Sequence, residues 1–251
     1  MITDPVFYAF AIPAVALMGL AKGGFAGVGA VSMPLLALAI SPVQAAAILL
    51  PILIVQDVVS VWSFRRTWDR RVLAIMVPGA VVGIALGYLL AARVSTAAVL
   101  GALGAISILF AGQRLWAMRA GRVPAPAGSP WFVGAAFGAV AGFTSQIAHA
   151  GGPPFQMWVL PRNLPPASLI GTTAIFFFAI NWIKVPAYLA LGQFTPENLL
   201  TAAALLPLAI AATVAGVWLV RRVQAERFYT LIYVLMILVG CQLLWEAITA
   251  G

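Results

Sequence analysis

Six long apolar runs, at residues 42 to 64, 71 to 92, 95 to 118, 166 to 191, 196 to 220 and 228 to 248, constrain this chain more than any other feature. Each is long enough for the roughly 20 helical residues that cross a hydrocarbon core of ~30 Å. Lipid offers no partners to backbone N–H and C=O groups, so such a run spans as a helix that satisfies its own. The sequence around the runs does not read as a soluble domain, since 63% of the 251 residues are hydrophobic and only 8% charged, with a mean hydropathy of +1.06. An all-α polytopic membrane protein is expected. Its start, Met1-Ile2-Thr3-Asp4-Pro5, has no basic region ahead of the apolar pattern and does not read as a cleaved signal. Cys241, the single cysteine, allows no internal disulfide, lacks metal-ligand spacing and reads as a core residue.

Two further apolar stretches, 6 to 40 and 131 to 163, are interrupted by GLAKGGFAGVGA (19 to 30) and GFTSQIAHAGGPP (142 to 154). Each reads as a short broken or re-entrant helical hairpin. With about 14 residues per arm at 1.5 Å per residue, an arm rises only ~21 Å, which puts its turn near mid-bilayer.

A repeat organises these pieces. Pro78 and Gly87 are spaced like Pro207 and Gly216, Arg93-Val94 parallels Arg222-Val223, and GQRLW (112 to 116) parallels CQLLW (241 to 245), all offset by 129. Upstream, Gly19 and Gly29 pair with Gly142 and Gly152 at an offset of 123. The reading is two repeats, 1–122 and 131–251, joined by a cytoplasmic linker at 123–130, each repeat being a hairpin followed by three full spans.

Charge sets the orientation. Arg65, Arg66, Arg70 and Arg71 fill one connector, Arg114, Arg119 and Arg122 a second, Arg221, Arg222 and Arg227 a third, and Arg162 lies in a fourth. The positive-inside rule assigns these to the cytoplasm and both termini to the outside, so the two repeats are inverted. The net charge of +8 is thereby mostly explained by topology, and no nucleic-acid partner is expected.

Irregular backbone at membrane depth survives only where protein or a polar cavity surrounds it. Two such turns entering from opposite faces resemble the midplane sites of inverted-repeat transporters. The returning arms, starting near Gly27 to Ala30 and near Pro153-Pro154, would present helix N-termini and free N–H groups to an anion. The candidate substrate-binding residues are Lys22, Gly23, Gly24, Gly27 and Gly29 on the first turn, with Thr144, Ser145, Gln146, His149, Gly151 and Gly152 on the second. Gln56, Asp57, Asn181 and Lys184 lie deep in full spans; with His149 they are candidates for proton coupling or an accessory role. Each has a plainer reading. The glycines serve close helix packing, Lys22 and Lys184 snorkel, His149 is a neutral core imidazole, and Asp57 pairs with Arg65 or Arg66. A membrane enzyme would need a nucleophile with its base or a metal cluster, which one histidine, one cysteine and one deep carboxylate do not supply. No cofactor and no metal is expected. A channel using the same cavity stays open as an alternative to a carrier.

At GLAKGGFAGVGAVSMPLL and GFTSQIAHAGGPPFQMWVLP the chain resembles the TauE/SafE family of bacterial membrane permeases. That resemblance implies a secondary transporter, acting as an exporter, for sulfite, an organosulfonate or a related small anion, in the bacterial cytoplasmic (inner) membrane. Besides the anionic substrate, the expected partners are the lipid bilayer and a proton or sodium ion for coupling, with a homo-oligomer left open.

Overall fold

The computed structural model describes residues 1–25, 28–90, 93, 95–120, 129–162, 164–220, 222 and 226–249. The long helices are α1 (Pro5–Lys22), α3 (Pro42–Phe64), α4 (Arg70–Leu90), α5 (Thr96–Arg119), α6 (Trp131–Ala148), α8 (Pro166–Ala190), α9 (Pro196–Leu219) and α10 (Glu226–Thr249). Two short helices, α2 (Ser32–Ala37) and α7 (Gly152–Val159), are flanked by 3₁₀ turns at Val28–Val31 and Leu160–Arg162. Seven of these helices, α1, α3, α4, α5, α6, α8 and α9, are long and apolar enough to cross a membrane.

Local chemistry sets where several of them begin. Asp4, Ser41, Ser95 and Thr195 each accept a backbone N–H from the first turn of α1, α3, α5 and α9. Pro5, Pro42 and Pro196 follow three of these caps, where a missing N–H costs nothing.

Small residues decide which helices meet, because apolar side chains gain little by leaving lipid for one another. On α4, Gly79, Gly83 and Gly87 lie against Ala135, Ala139 and Gln146 of α6, so the two run parallel. A Cβ on Gly83 would come within 2.7 Å of the Phe143 nitrogen. The pair α1 and α9 is built the same way: the Ile2 N–H donates to Thr201 Oγ1 (2.9 Å), and Gly19 and Gly23 pack on Ala212 and Gly216. Helices α5 and α10 cross antiparallel at Gly104 and Gly240. Helices α3 and α8 are also antiparallel, joined by Asn181 to Asp57 at one level and Thr67 to the Ala167 carbonyl at another. Outward faces carry Trp62, Leu109, Trp131, Trp245 and Ile248, as a lipid-facing surface should.

Two expectations need correcting. Cys241 is exposed, because α10 turns the adjacent Gly240 toward α5 and the next side chain leaves that seam. The hairpin arms are unequal: the entering arms α1 and α6 have 18 residues each, whereas the returning arms are short helices broken by 3₁₀ turns. At 1.5 Å per residue an entering arm rises ~27 Å, well past the ~21 Å of two equal arms.

Candidate functional site

The turn after α1 is made by glycine and the turn after α6 by histidine. Gly24 has φ +130, a conformation that side chains resist, and it lets the chain leave α1 directly beneath Lys22. His149 closes α6 in the left-handed region (φ 50, ψ 22), the only non-glycine with positive φ among the described residues. Such a conformation costs about 1–2 kcal/mol and persists where surrounding bonds impose it. Those bonds are present. His149 Nε2 lies 2.8 Å from the Ala46 carbonyl and Nδ1 lies 2.7 Å from Lys184 Nζ. A carbonyl only accepts, so Nε2 carries the proton, and Nδ1 accepts from the lysine.

Two buried polar clusters result. In the first, Lys22 Nζ donates to Asp57 Oδ1 at 2.5 Å, Asn181 Nδ2 donates to Asp57 Oδ2 at 2.6 Å, and Ser60 Oγ donates to the Lys22 carbonyl at 2.6 Å. In the second, Lys184 Nζ donates to Ser145 Oγ (3.0 Å), the Ser145 carbonyl (3.2 Å) and His149 Nδ1. Three acceptors match the three N–H bonds of an ammonium. Lys22 therefore has a carboxylate partner, while among the described residues Lys184, fully buried, has no carboxylate in contact. Ala46 and Asp57 are separated by 11 positions along α3, so the two turns lie ~16 Å apart along its axis, having passed each other in depth.

Between them is a cavity of about 90 Å³, lined from the first hairpin by Met18, Ala21, Lys22, Gly29 and Ala30 and from the second by Ser145, His149, Gly152, Pro153 and Gln156. Leu53, Thr173, Phe177 and Asn181 complete the wall. Leu53 is the midpoint of α3, which puts the cavity halfway along a spanning helix. Drug-sized ligands occupy ~300 Å³ or more. This space suits a few waters or an anion of a few heavy atoms.

The structure thus brings Lys22, Gly29, Ser145, His149, Gly152 and Asn181 to one cavity. Asp57 and Lys184 stand immediately behind the wall, each bonded to a residue in it. The remaining candidates lie elsewhere. Gly23 abuts the Gly216 backbone, Gly151 abuts the Ala141 carbonyl, and Gly24 forms the turn itself. The Thr144 hydroxyl bonds carbonyls of its own hairpin, including Ala150 at 3.1 Å. Gln56 bridges the Val15 and Ala209 carbonyls between α1 and α9. Gln146 is buried with its carbonyl oxygen Oε1 unpartnered and its backbone carbonyl accepting from Tyr188. Gly27 lies outside the described residues. Of the plainer readings, Asp57 pairs with Lys22 rather than with Arg65 or Arg66, and Arg65 stacks on Trp62.

Sequence reasoning passed over Gln156, Thr173 and Phe177, polar or aromatic residues whose place in the wall no local pattern marks. It also assigned Arg114 to a cytoplasmic connector. Arg114 instead lies within α5, and its Nη2 donates to Gln156 Oε1 at 2.8 Å.

The sulfite exporter TauE/SafE family matches residues 11–243, and the chain belongs to that family. No curated protein and no solved structure matches it.

Proposed function

We propose that this member of a transporter family is a secondary transporter that exports a small sulfur-containing anion, sulfite or an organosulfonate, by alternating access around the cavity between its two hairpins. The observation that carries this reading is the pairing of charges beside that cavity. Lys22 is matched by Asp57, and Lys184 by neutral acceptors among the described residues, so the Lys184 charge remains to be balanced from the cavity. Ionisable groups held inside spans default to function because their burial is costly. The wall adds the Ser145 hydroxyl and the Lys22 ammonium as donors suited to oxyanion oxygens.

The helix pairings support the inverted repeat on which alternating access depends. Exchanging α1, α3, α4 and α5 for α6, α8, α9 and α10 turns the α1–α9 contact into α6–α4 and leaves α3–α8 and α5–α10 as they are. The hydrogen bonds exchange likewise. At an offset of 124, Ser60 corresponds to Lys184; at 123, Lys22 corresponds to Ser145. In each half the residue on the full span bonds the carbonyl at the end of the entering arm. In this reading the bacterial inner membrane holds both termini outside, and Asp57 takes up a proton when an anion draws Lys22 away.

Purified protein in vesicles should take up sulfite saturably against a counter-gradient. Lys184→Met should weaken sulfite binding strongly. A charge ~6 Å from the anion, at an effective dielectric of about 20, contributes ~3 kcal/mol, or roughly 100-fold in affinity. Sulfite currents that never saturate would instead indicate a channel, and unchanged affinity in Lys184→Met would remove the charge argument.

A further inference from the structure

Two contacts related by the internal repeat differ in a way the fold does not require. Gln156 on α7, in the second repeat, faces Arg114 on α5, in the first, with Arg114 Nη2 donating to Gln156 Oε1 at 2.8 Å. By the same offsets of 123 and 129, the residues of the repeat-related contact are Met33 on α2, in the first repeat, and Leu243 on α10, in the second. Both of those are buried in one apolar cluster. The fold therefore joins a returning arm to the last helix of the other repeat, at the matching place, through an apolar cluster. Placing a guanidinium and an amide at the matching position adds a desolvation cost without a packing need. Gln156 is also a wall residue of the cavity, only 6% exposed.

We infer that Gln156 binds the transported anion through its amide N–H, and that Arg114 is the positioning residue that turns the amide that way. This rests on the transport reading above and names a specificity determinant within it. The chemistry follows from the amide's two ends. Arginine has donors only, so the group it engages must be the carbonyl oxygen. With Oε1 held by Arg114, the NH₂ is what Gln156 retains for a ligand, and an NH₂ suits an oxyanion with accepting oxygens and no protons to donate. Without Arg114 the amide is free to turn over and offer its carbonyl, which suits a ligand bearing N–H or O–H. The pair thus discriminates an ionised oxyanion from a neutral group of the same shape.

The test uses the full chain, purified, with methanesulfonate, which carries only accepting oxygens at its head, and methanesulfonamide, its neutral counterpart bearing N–H donors. Affinities come from ligand-induced shifts in melting temperature and intrinsic tryptophan fluorescence. In Gln156→Glu, which keeps a partner for Arg114 but loses the N–H, methanesulfonate affinity should fall at least about tenfold, the scale of a charge-assisted hydrogen bond. In Arg114→Leu the ratio of methanesulfonate to methanesulfonamide affinity should fall about tenfold, and Arg114→Lys should restore part of it. The double variant Arg114→Leu/Gln156→Met copies the repeat-related contact and should fold with a melting temperature near that of the parent while losing selectivity. A packing role alone would leave the ratio unchanged in Arg114→Leu, and that result overturns the inference, as does undiminished methanesulfonate binding in Gln156→Glu. Parent protein that binds neither sulfite nor methanesulfonate would defeat the transport reading, and this inference with it.

Discussion

Replacing Asp57 with asparagine removes the carboxylate that holds Lys22, and the structure sets what this should cost. Asp57 is fully buried and Lys22 has a side-chain exposure of 12%, so neither charge is well solvated. At charge separations near 4 Å and an effective dielectric of about 20, the attraction is ~4 kcal/mol. Removing one partner of a buried pair typically costs 3–5 kcal/mol. Because Lys22 borders the cavity and retains some access to water, we expect the lower end for Asp57→Asn, ~3 kcal/mol. For a chain of this size that corresponds to a fall of about 6–12 °C in melting temperature. Lys22→Met should cost more, ~4 kcal/mol, since it strands a carboxylate with Asn181 as its one remaining donor. The double variant Lys22→Met/Asp57→Asn removes both charges and should recover at least ~2 kcal/mol relative to the sum of the singles. Thermal unfolding of the four proteins in one detergent measures the cycle. Sulfite should then stabilise Asp57→Asn more than the parent, because the anion replaces the missing carboxylate beside Lys22. Additive single effects, or an Asp57→Asn protein as stable as the parent, would refute the reasoning.

Two further outcomes follow from the backbone. Gly83→Ala should lower the melting temperature, with about 1–3 kcal/mol lost to overpacking, since the added methyl meets the backbone at Ala139 and Phe143. Gly112→Ala, where nothing lies within 4 Å, should be neutral or stabilise by up to ~1 kcal/mol, and equal behaviour of the two variants would contradict the close α4–α6 seam. His149→Asn keeps a residue type tolerant of the left-handed region and should fold but bind sulfite weakly. His149→Val should in addition lose at least about 1–2 kcal/mol of stability, and equal melting temperatures for the two would count against a strained turn.

What was legible beforehand follows from the way lipid enforces local rules. A long apolar run must become a helix, as Pro42–Phe64 and Pro196–Leu219 do, and a cap residue followed by proline marks where each begins. The broken hairpins were visible because glycine, proline and histidine inside apolar sequence are costly without a purpose. Arginine placement was a weaker guide: Arg114 sits near the end of α5 like Arg119, and its bond to Gln156 sets it apart.

Sequence alone determined that this chain is helical, crosses a membrane and carries polar residues at two interrupted turns, because each of these depends on nearest neighbours and on the solvent. The tertiary structure decided which polar groups meet. It put Asp57 on Lys22 instead of on the cytoplasmic arginines, left Lys184 with neutral acceptors, and turned Cys241 outward. Those outcomes depend on helix rotation and depth, which are set by where small residues such as Gly23, Gly83 and Gly240 allow two backbones to approach. A one-residue step turns a helical side chain by about 100°, so no composition or spacing along one helix fixes its partner on another.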